Sequence, residues 1–202
     1  MMFRVLELLA LLAPVLAGAL LLRYRRRSRA AFTWGMVGCL LAALASGVSM
    51  VAVRTSVMSS YRTGGDAMDV LAQLGWWAWL RFALLVLAAV LLIVAALVDR
   101  GGDPRPVGWI AGGLLAGLLG VAVRGVEVPV PDHEGLGVVL VMMKETLEAA
   151  LLGLSVLLLA VAAVAHRPPA HADDAGRAEP TELARRAGVA AWRLYTDTRR
   201  TR

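Results

Sequence analysis

Long apolar segments alternate with short polar ones along most of the chain. Five apolar segments lie at 5–22, 32–53, 76–98, 108–123 and 136–165, and most of the charge lies between them. At a rise of about 1.5 Å per residue, a helix of about 20 apolar residues crosses a hydrocarbon layer of about 30 Å. The pattern therefore predicts an all-α, polytopic transmembrane protein of about five spans.

The second half of this pattern repeats the first. A glycine-containing segment that ends in the string VAVR, a polar stretch and a longer apolar segment occur twice, in the same order. In this alignment Arg81 falls opposite Glu148, and Asp99-Arg100 falls opposite His166-Arg167. Further aligned pairs are Trp34 with Trp109, Gly38 with Gly113, and Ala42 with Gly117. The alignment predicts one anchor helix followed by a duplicated two-helix hairpin.

These segments divide the chain into four parts. Residues 1–31 hold the anchor span and a basic loop, 32–100 the first membrane hairpin, 101–167 the second, and 168–202 a cytoplasmic tail. The end of the tail, 181–202, has the spacing of apolar residues and arginines typical of a basic amphipathic helix. We expect it to lie on the membrane surface or to bind a cytoplasmic partner, with a solvated tail as the remaining alternative.

The arginines predict the orientation in the membrane. The densest cluster, RYRRRSR at 23–29, lies between the first two apolar segments, and the positive-inside rule places it in the cytoplasm. The amino terminus, the 54–75 loop and the acidic 124–135 loop are then outside, and the tail is inside. Segment 5–22 is expected to remain as an anchor, because its positive charges follow the apolar run. The predicted location is the cell inner membrane.

Composition supports the membrane interpretation and argues against other classes. A hydrophobic share of 59% and a mean hydropathy of +0.69 exceed those of soluble domains. The net charge of +6 is explained by flanks that face anionic lipid headgroups, so we expect membrane lipids and no nucleic acid as partners. The single Cys39 excludes an internal disulfide. The sequence has no zinc spacing, phosphate-binding glycine loop or nucleophile–base set, so we expect no enzyme, metal or cofactor.

Small residues recur every four positions in two of the apolar segments. Such ladders allow helix backbones to approach closely in lipid. One ladder contains Gly35, Cys39, Ala43 and Gly47, and the other contains Gly108, Gly112, Ala116 and Gly120. The candidate packing residues are Gly35, Gly38, Gly47, Gly108, Gly112, Gly113, Gly117 and Gly120. We expect packing within the chain, or else against another subunit of a homo- or hetero-oligomer.

Charged residues within or beside the apolar segments are the candidate functional residues, because charge at membrane depth is costly. They are Glu7, Arg81, Lys144, Glu145 and Glu148, and all are expected toward the outer ends of their spans. Two interpretations stay open. The charges mark the outer boundary and pair with one another, Arg81 with Glu148 among them, or they form a polar lining for ion movement.

Two segments resemble a known membrane family. Gly113–Gly120 reads GLLAGLLG and Glu145–Leu154 reads ETLEAALLGL. They resemble the last helical hairpin of the MotA/TolQ/ExbB proton-channel family, and the direction of both spans agrees with that family. The family's pore threonines and inner proline have no counterpart in these segments. The resemblance implies a stator-like subunit of a larger membrane complex.

A second resemblance concerns the carboxylates of the last span. Lys144–Ala149 reads KETLEA and is similar to the REGLE signature of iron permeases, in which glutamates one helical turn apart bind the metal. Arg4, Leu6 and Glu7 resemble a first copy of that signature. This resemblance implies a shared cation site at Glu145 and Glu148. In that family the two signatures lie on oppositely directed helices, whereas Glu7 and Glu148 are predicted on helices that run the same way.

These patterns together favour an integral membrane subunit of a larger assembly, a divergent proton-channel or stator-like component. Two alternatives remain. One is a non-conducting membrane scaffold subunit, and the other is a permease for iron or another divalent cation.

Overall fold

The computed structural model places helices where the apolar segments predict them. Helix α1 spans Met2–Arg23, α2 spans Arg29–Thr63, α3 spans Ala67–Leu97, α4 spans Val107–Gly125 and α5 spans Glu134–Val164. The part of the chain that the structure describes contains no strand, which confirms the all-α prediction.

The structure describes residues 2–63, 67–100, 106–126 and 134–165, together with Arg167, Glu182, Arg185, Arg186 and Val189. Side chains are described from residue 12 onward, apart from 49–50, 52–74, 134–138 and 141–142 within the helices. The side chain of Glu7, most of the predicted tail helix and most of the 124–135 loop thus lie outside the described residues. In the tail, Glu182 pairs with Arg185 at 3.6 Å and with Arg186 at 3.3 Å.

Among the described residues, four helices contain segments long and apolar enough to cross a membrane, as in a multi-pass membrane protein. These segments are Arg29–Val48, Gly75–Leu97, Val107–Gly125 and Met143–Val164. Within α1, the part with described side chains gives a shorter apolar section, Leu12–Arg23. The fifth span therefore stays a prediction.

The 54–75 loop is a correction to the sequence interpretation. Helix α2 continues past the VAVR string to Thr63, and α3 already begins at Ala67. Residues 54–63 contain neither proline nor glycine, so nothing in the sequence stops the helix there. The polar composition of residues 54–63 therefore does not mark the end of the helix.

Helix α5 is the centre of the bundle. It packs against α1, α3 and α4 and touches α2, while α2 packs against α3 and α1. The most extensive interfaces join α2 to α3 and α4 to α5, which makes two antiparallel hairpins. The core lies where α1, α2, α3 and α5 meet, with Leu21, Cys39, Leu92 and Leu159 almost fully buried.

The outer surface of the bundle is apolar. Large side chains such as Val15, Leu40, Val90, Leu115 and Leu118 are between 48% and 66% exposed. A soluble protein seldom leaves so many large apolar side chains in water. Lipid tails are the natural solvent for this surface.

The turn between α1 and α2 contacts the end of α3. Ser28 caps α2 by accepting a hydrogen bond from the Ala31 N–H at 3.1 Å, and its hydroxyl donates to Asp99 at 2.7 Å. Asp99 follows α3 and has a φ of 61°, a left-handed conformation common just after a helix. These contacts place the arginine cluster at 23–29 and the end of α3 at the same end of the bundle.

Candidate functional site

Three charged side chains from three helices meet at the other end of the bundle. Arg81 of α3 lies 3.2 Å from Glu148 of α5, and Arg124, in the last turn of α4, lies 3.2 Å from the same carboxylate oxygen. The side chain of Glu148 is 11% exposed and that of Arg81 is 21% exposed, whereas that of Arg124 is 45% exposed. We call Arg81, Arg124 and Glu148 the charged cluster. The pair of Arg81 with Glu148 is the one that the sequence alignment predicts.

The end of α4 is a favourable place for the positive charge of Arg124. Arg124 is in the last turn of α4, where the helix dipole stabilises positive charge. Lys144 of α5 donates a hydrogen bond to the carbonyl oxygen of Val126, the residue that caps α4. The end of α4 thus holds one basic side chain of its own and is contacted by a second, Lys144 of α5. Sequence reasoning placed Arg124 in a loop and missed its contact with Glu148, although the VAVR string marked the position.

The structure does not bring Glu145 and Glu148 together as a pair of free carboxylates. Glu145 is exposed, while Glu148 is buried and held by two guanidinium groups. Among the described residues there is no group of three or more His, Cys, Asp or Glu side chains that would hold a metal ion. The geometry thus gives the predicted cation site at Glu145 and Glu148 no support.

A small cavity lies beside the charged cluster, inside the bundle. It has a volume of about 30 Å³ and is bounded by Pro14 of α1, Ser46 of α2, Arg81 of α3 and Gly153 of α5. A buried water molecule needs a cavity of at least about 10–15 Å³, so this cavity has room for about two water molecules. Ser46 and Arg81 provide polar groups at its wall.

The interior beyond this cavity is closed by small and medium apolar side chains. Ala88, Leu92 and Ala95 of α3 and Leu159 and Ala160 of α5 are at most 1% exposed. They pack where α3 and α5 run side by side. Within the described residues, this packing separates the charged cluster from the opposite end of the bundle.

Most of the candidate packing glycines pack inside the chain. A Cβ atom on Gly38 would lie 3.0 Å from Leu92, one on Gly113 would lie 2.9 Å from Leu159, and one on Gly120 would lie 3.0 Å from Leu152. Gly35 meets Leu21 of α1 and Gly117 meets Ser155 of α5 in the same way. Gly112 makes only an ordinary contact, and Gly47 and Gly108 face open space in the described part of the chain. Of the predicted packing glycines of α4, Gly113, Gly117 and Gly120 therefore lie on the face that meets α5, and Gly108 lies outside it.

At the opposite end of the bundle, two arginines donate hydrogen bonds to the ends of α3 and α5. Arg100, which follows α3, donates hydrogen bonds to the carbonyl oxygens of Ala162 and Ala165 at the end of α5. Arg167, which follows α5, donates to the carbonyl oxygens of Ala95 and Val98 at the end of α3, both at 2.8 Å. The last carbonyls of a helix have no partner within it, so each arginine caps the neighbouring helix.

Arg167 remains protonated at neutral pH in spite of its burial. Burial, followed by repulsion from Arg100, lowers the pKa of Arg167 to about 10. Sequence reasoning treated Arg100 and Arg167 only as positive charges that flank the spans. Their aligned positions in the two hairpins were the available signal.

Comparisons with known proteins give no relative. No protein-family model, no curated protein and no solved structure matches the chain.

Proposed function

We propose that the protein is an integral membrane subunit of a larger assembly and that its helices form a non-conducting scaffold. The observation that carries the proposal is the closed interior between α3 and α5. At one end of the bundle, Glu148 forms ion pairs with two arginines. At the other end, Arg100 and Arg167 join α3 to α5 by hydrogen bonds to backbone carbonyls. The carboxylate of Glu148 is thus engaged in two ion pairs and is not left open to a passing ion.

The proposal includes the orientation expected from the sequence. The cluster at 23–29 lies at the same end as Asp99 and Arg100, so the arginine-rich side of the bundle is proposed to face the cytoplasm. The charged cluster is then at the outer side of the membrane.

We also infer that the two hairpins are copies of one ancestral hairpin. Gly38 lies against Leu92 and the Ala88 carbonyl, and Gly113 lies against Leu159 and the Ser155 carbonyl. The sequence alignment gives the same pairs: Gly38 with Gly113, Leu92 with Leu159, and Ala88 with Ser155. Equivalent contacts at aligned positions support a duplication.

Ion movement is the second candidate function, and one relationship favours it. Ala13 of α1 meets Gly153 of α5, and Leu21 and Val164 line one pocket farther along, so α1 and α5 run in parallel. Glu7 and Glu148 precede that contact by similar numbers of residues, which by helix rise places their backbones about 9 Å and about 7.5 Å before it. Two glutamate positions at one depth are compatible with a proton-channel-like protein, whereas the parallel direction of the two helices differs from the opposed helices of the iron permeases.

Flux measurements distinguish these functions. The purified protein is reconstituted in sealed vesicles, and proton flux and iron uptake are recorded for the unmodified chain and for Glu148→Gln and Glu145→Gln. The scaffold proposal requires no flux above that of empty vesicles for any of the three. Proton flux that Glu148→Gln abolishes would establish the channel, and iron uptake that Glu148→Gln abolishes would establish the permease.

A further inference from the structure

A cleft lies between α3 and α4 at the end of the bundle that holds the charged cluster. Both helices pack on α5, and the described residues show no comparable interface between the two. The cleft has a volume of about 190 Å³ and is lined by Ala78, Trp79, Phe82 and Arg124. It opens on the surface of the bundle, where apolar side chains face outward.

Among the residues whose side chains the structure describes, the charged groups beside this cleft carry a net positive charge. Arg81 and Arg124 share one carboxylate oxygen of Glu148, so the charged cluster carries two positive charges and one negative charge. Lys144 adds a positive charge at the end of α4, and the exposed Glu145 adds a negative one. The net charge of these five groups is positive, and the most exposed arginine of the cluster, Arg124, lines the cleft.

The aromatic residues of the cleft are of the kind found at lipid headgroups. Trp79 is 70% exposed and Phe82 is 43% exposed, and their rings meet edge to face with centroids 6.1 Å apart. Tryptophan is enriched where the hydrocarbon layer meets the headgroups. A guanidinium binds phosphate oxygens through a planar pair of N–H groups. Arg124 thus offers a phosphate donor at the depth where lipid phosphates lie.

An apolar track continues from the cleft along both helices. On α3, Val86 and Val90 follow Phe82 at helical spacing, and both are nearly half exposed. On α4, Val121 lies three residues before Arg124 and Leu114 lies seven before Val121, so they share a helix face, and both are exposed. An acyl chain that starts at the headgroup level would contact both rows.

We propose that this cleft binds one phospholipid with an anionic headgroup. Arg124 holds the phosphate, Trp79 and Phe82 contact the glycerol region, and an acyl chain lies along the exposed valines of α3 and α4. The excess positive charge selects an anionic headgroup over a zwitterionic one, because the cationic group of a zwitterionic headgroup would be repelled by the arginines and by Lys144, whereas the neutral glycerol of phosphatidylglycerol is not.

Native mass spectrometry of the full chain in a non-ionic detergent tests the proposal. The delipidated protein is titrated with phosphatidylglycerol and, separately, with phosphatidylcholine. We expect one tightly bound phosphatidylglycerol, and Arg124→Ala should weaken that binding about tenfold, as for the loss of one charge-assisted hydrogen bond. Arg23→Ala, which removes an exposed arginine at the opposite end, is the matched control and should leave the affinity unchanged.

Further variants keep the test decisive. Arg124→Lys should bind with an intermediate affinity, since it keeps the charge but loses the planar pair of donors. Trp79→Ala should weaken phosphatidylglycerol binding without a change of charge, and it tests the same cleft if Arg124→Ala does not fold. Equal affinity for the two lipids, or equal losses for Arg124→Ala and Arg23→Ala, would overturn the proposal. Displacement of the lipid by glycerophosphate alone, or a dimer that excludes lipid from the cleft, would also overturn it.

Discussion

Arg100 and Arg167 each bind the backbone at the end of the other's hairpin. Arg100 donates to Ala162 and Ala165, and Arg167 donates to Ala95 and Val98. One constant offset along the chain relates Arg100 to Arg167, Ala95 to Ala162, and Val98 to Ala165. The two caps are therefore reciprocal, and α3 and α5 are joined at this end by a local two-fold relationship.

This reciprocity predicts that each arginine protects the other helix. Arg100→Ala should free the carbonyls of Ala162 and Ala165 and fray the end of α5, because its last turn loses two hydrogen bonds and keeps only the one that Arg167 donates to Ala163. Hydrogen–deuterium exchange in detergent should then be faster in a peptide covering 158–165 and unchanged in one covering 84–91. Arg167→Ala should speed exchange over 94–98.

The control for this experiment is Arg23→Ala, which removes an exposed arginine at the same end. It should change exchange in neither peptide. If Arg100→Ala altered only the end of its own helix, α3, the reciprocal capping would be wrong.

The pair of Arg81 and Glu148 predicts non-additive losses of stability. Removing Glu148 leaves Arg81 without its partner in a largely buried position, at a cost of about 3 kcal/mol, whereas removing Arg81 still leaves Glu148 paired with Arg124 and should cost less. Unfolding of Arg81→Ala, Glu148→Ala and the double variant is followed by circular dichroism in mixed micelles. The double variant should lose clearly less than the sum of the two single losses.

Glu145→Ala is the matched control in this cycle, because Glu145 is exposed and one turn away from Glu148. Its combination with Arg81→Ala should depart from additivity much less than that of Glu148→Ala, because Glu145 acts on Arg81 at longer range and without an ion pair. Additive losses for Arg81→Ala with Glu148→Ala would mean that the two charges are not coupled.

The sequence predicts the helices and one of the key contacts, but not the way the helices meet. Hydropathy locates α3, α4 and α5 because each is a long apolar run, and the internal alignment is enough to pair Arg81 with Glu148. The contact of Arg124 with Glu148 depends on the register between α4 and α5, which close packing such as that of Gly113 on Leu159 sets. A pattern within one segment carries no information on that register.

The proposed orientation predicts which positions are accessible from outside. With Cys39 replaced by alanine, a cysteine at Val126, which is exposed at the end of α4, should react with a membrane-impermeant maleimide in intact cells. A cysteine at the exposed Arg26 should react only after the membrane is permeabilised. The opposite pattern would reverse the orientation, and labelling of both positions in intact cells would contradict an odd number of crossings between them.

Close packing predicts that two aligned glycines are equally intolerant of a side chain. Gly38→Val and Gly113→Val each place a branched side chain against a leucine and a backbone carbonyl, and the carbonyl cannot move aside as the end of a side chain can. Overpacking of this kind costs about 1–3 kcal/mol, so both variants should unfold at a lower denaturant concentration than the unmodified chain.

Gly108→Val and Gly47→Val are matched controls, since a Cβ at either position meets nothing within 4 Å. Similar losses for Gly38→Val and Gly113→Val, with little change in the controls, are expected if the hairpins are equivalent. A large loss for Gly108→Val in purified monomer would mean that α4 packs through the other glycine face.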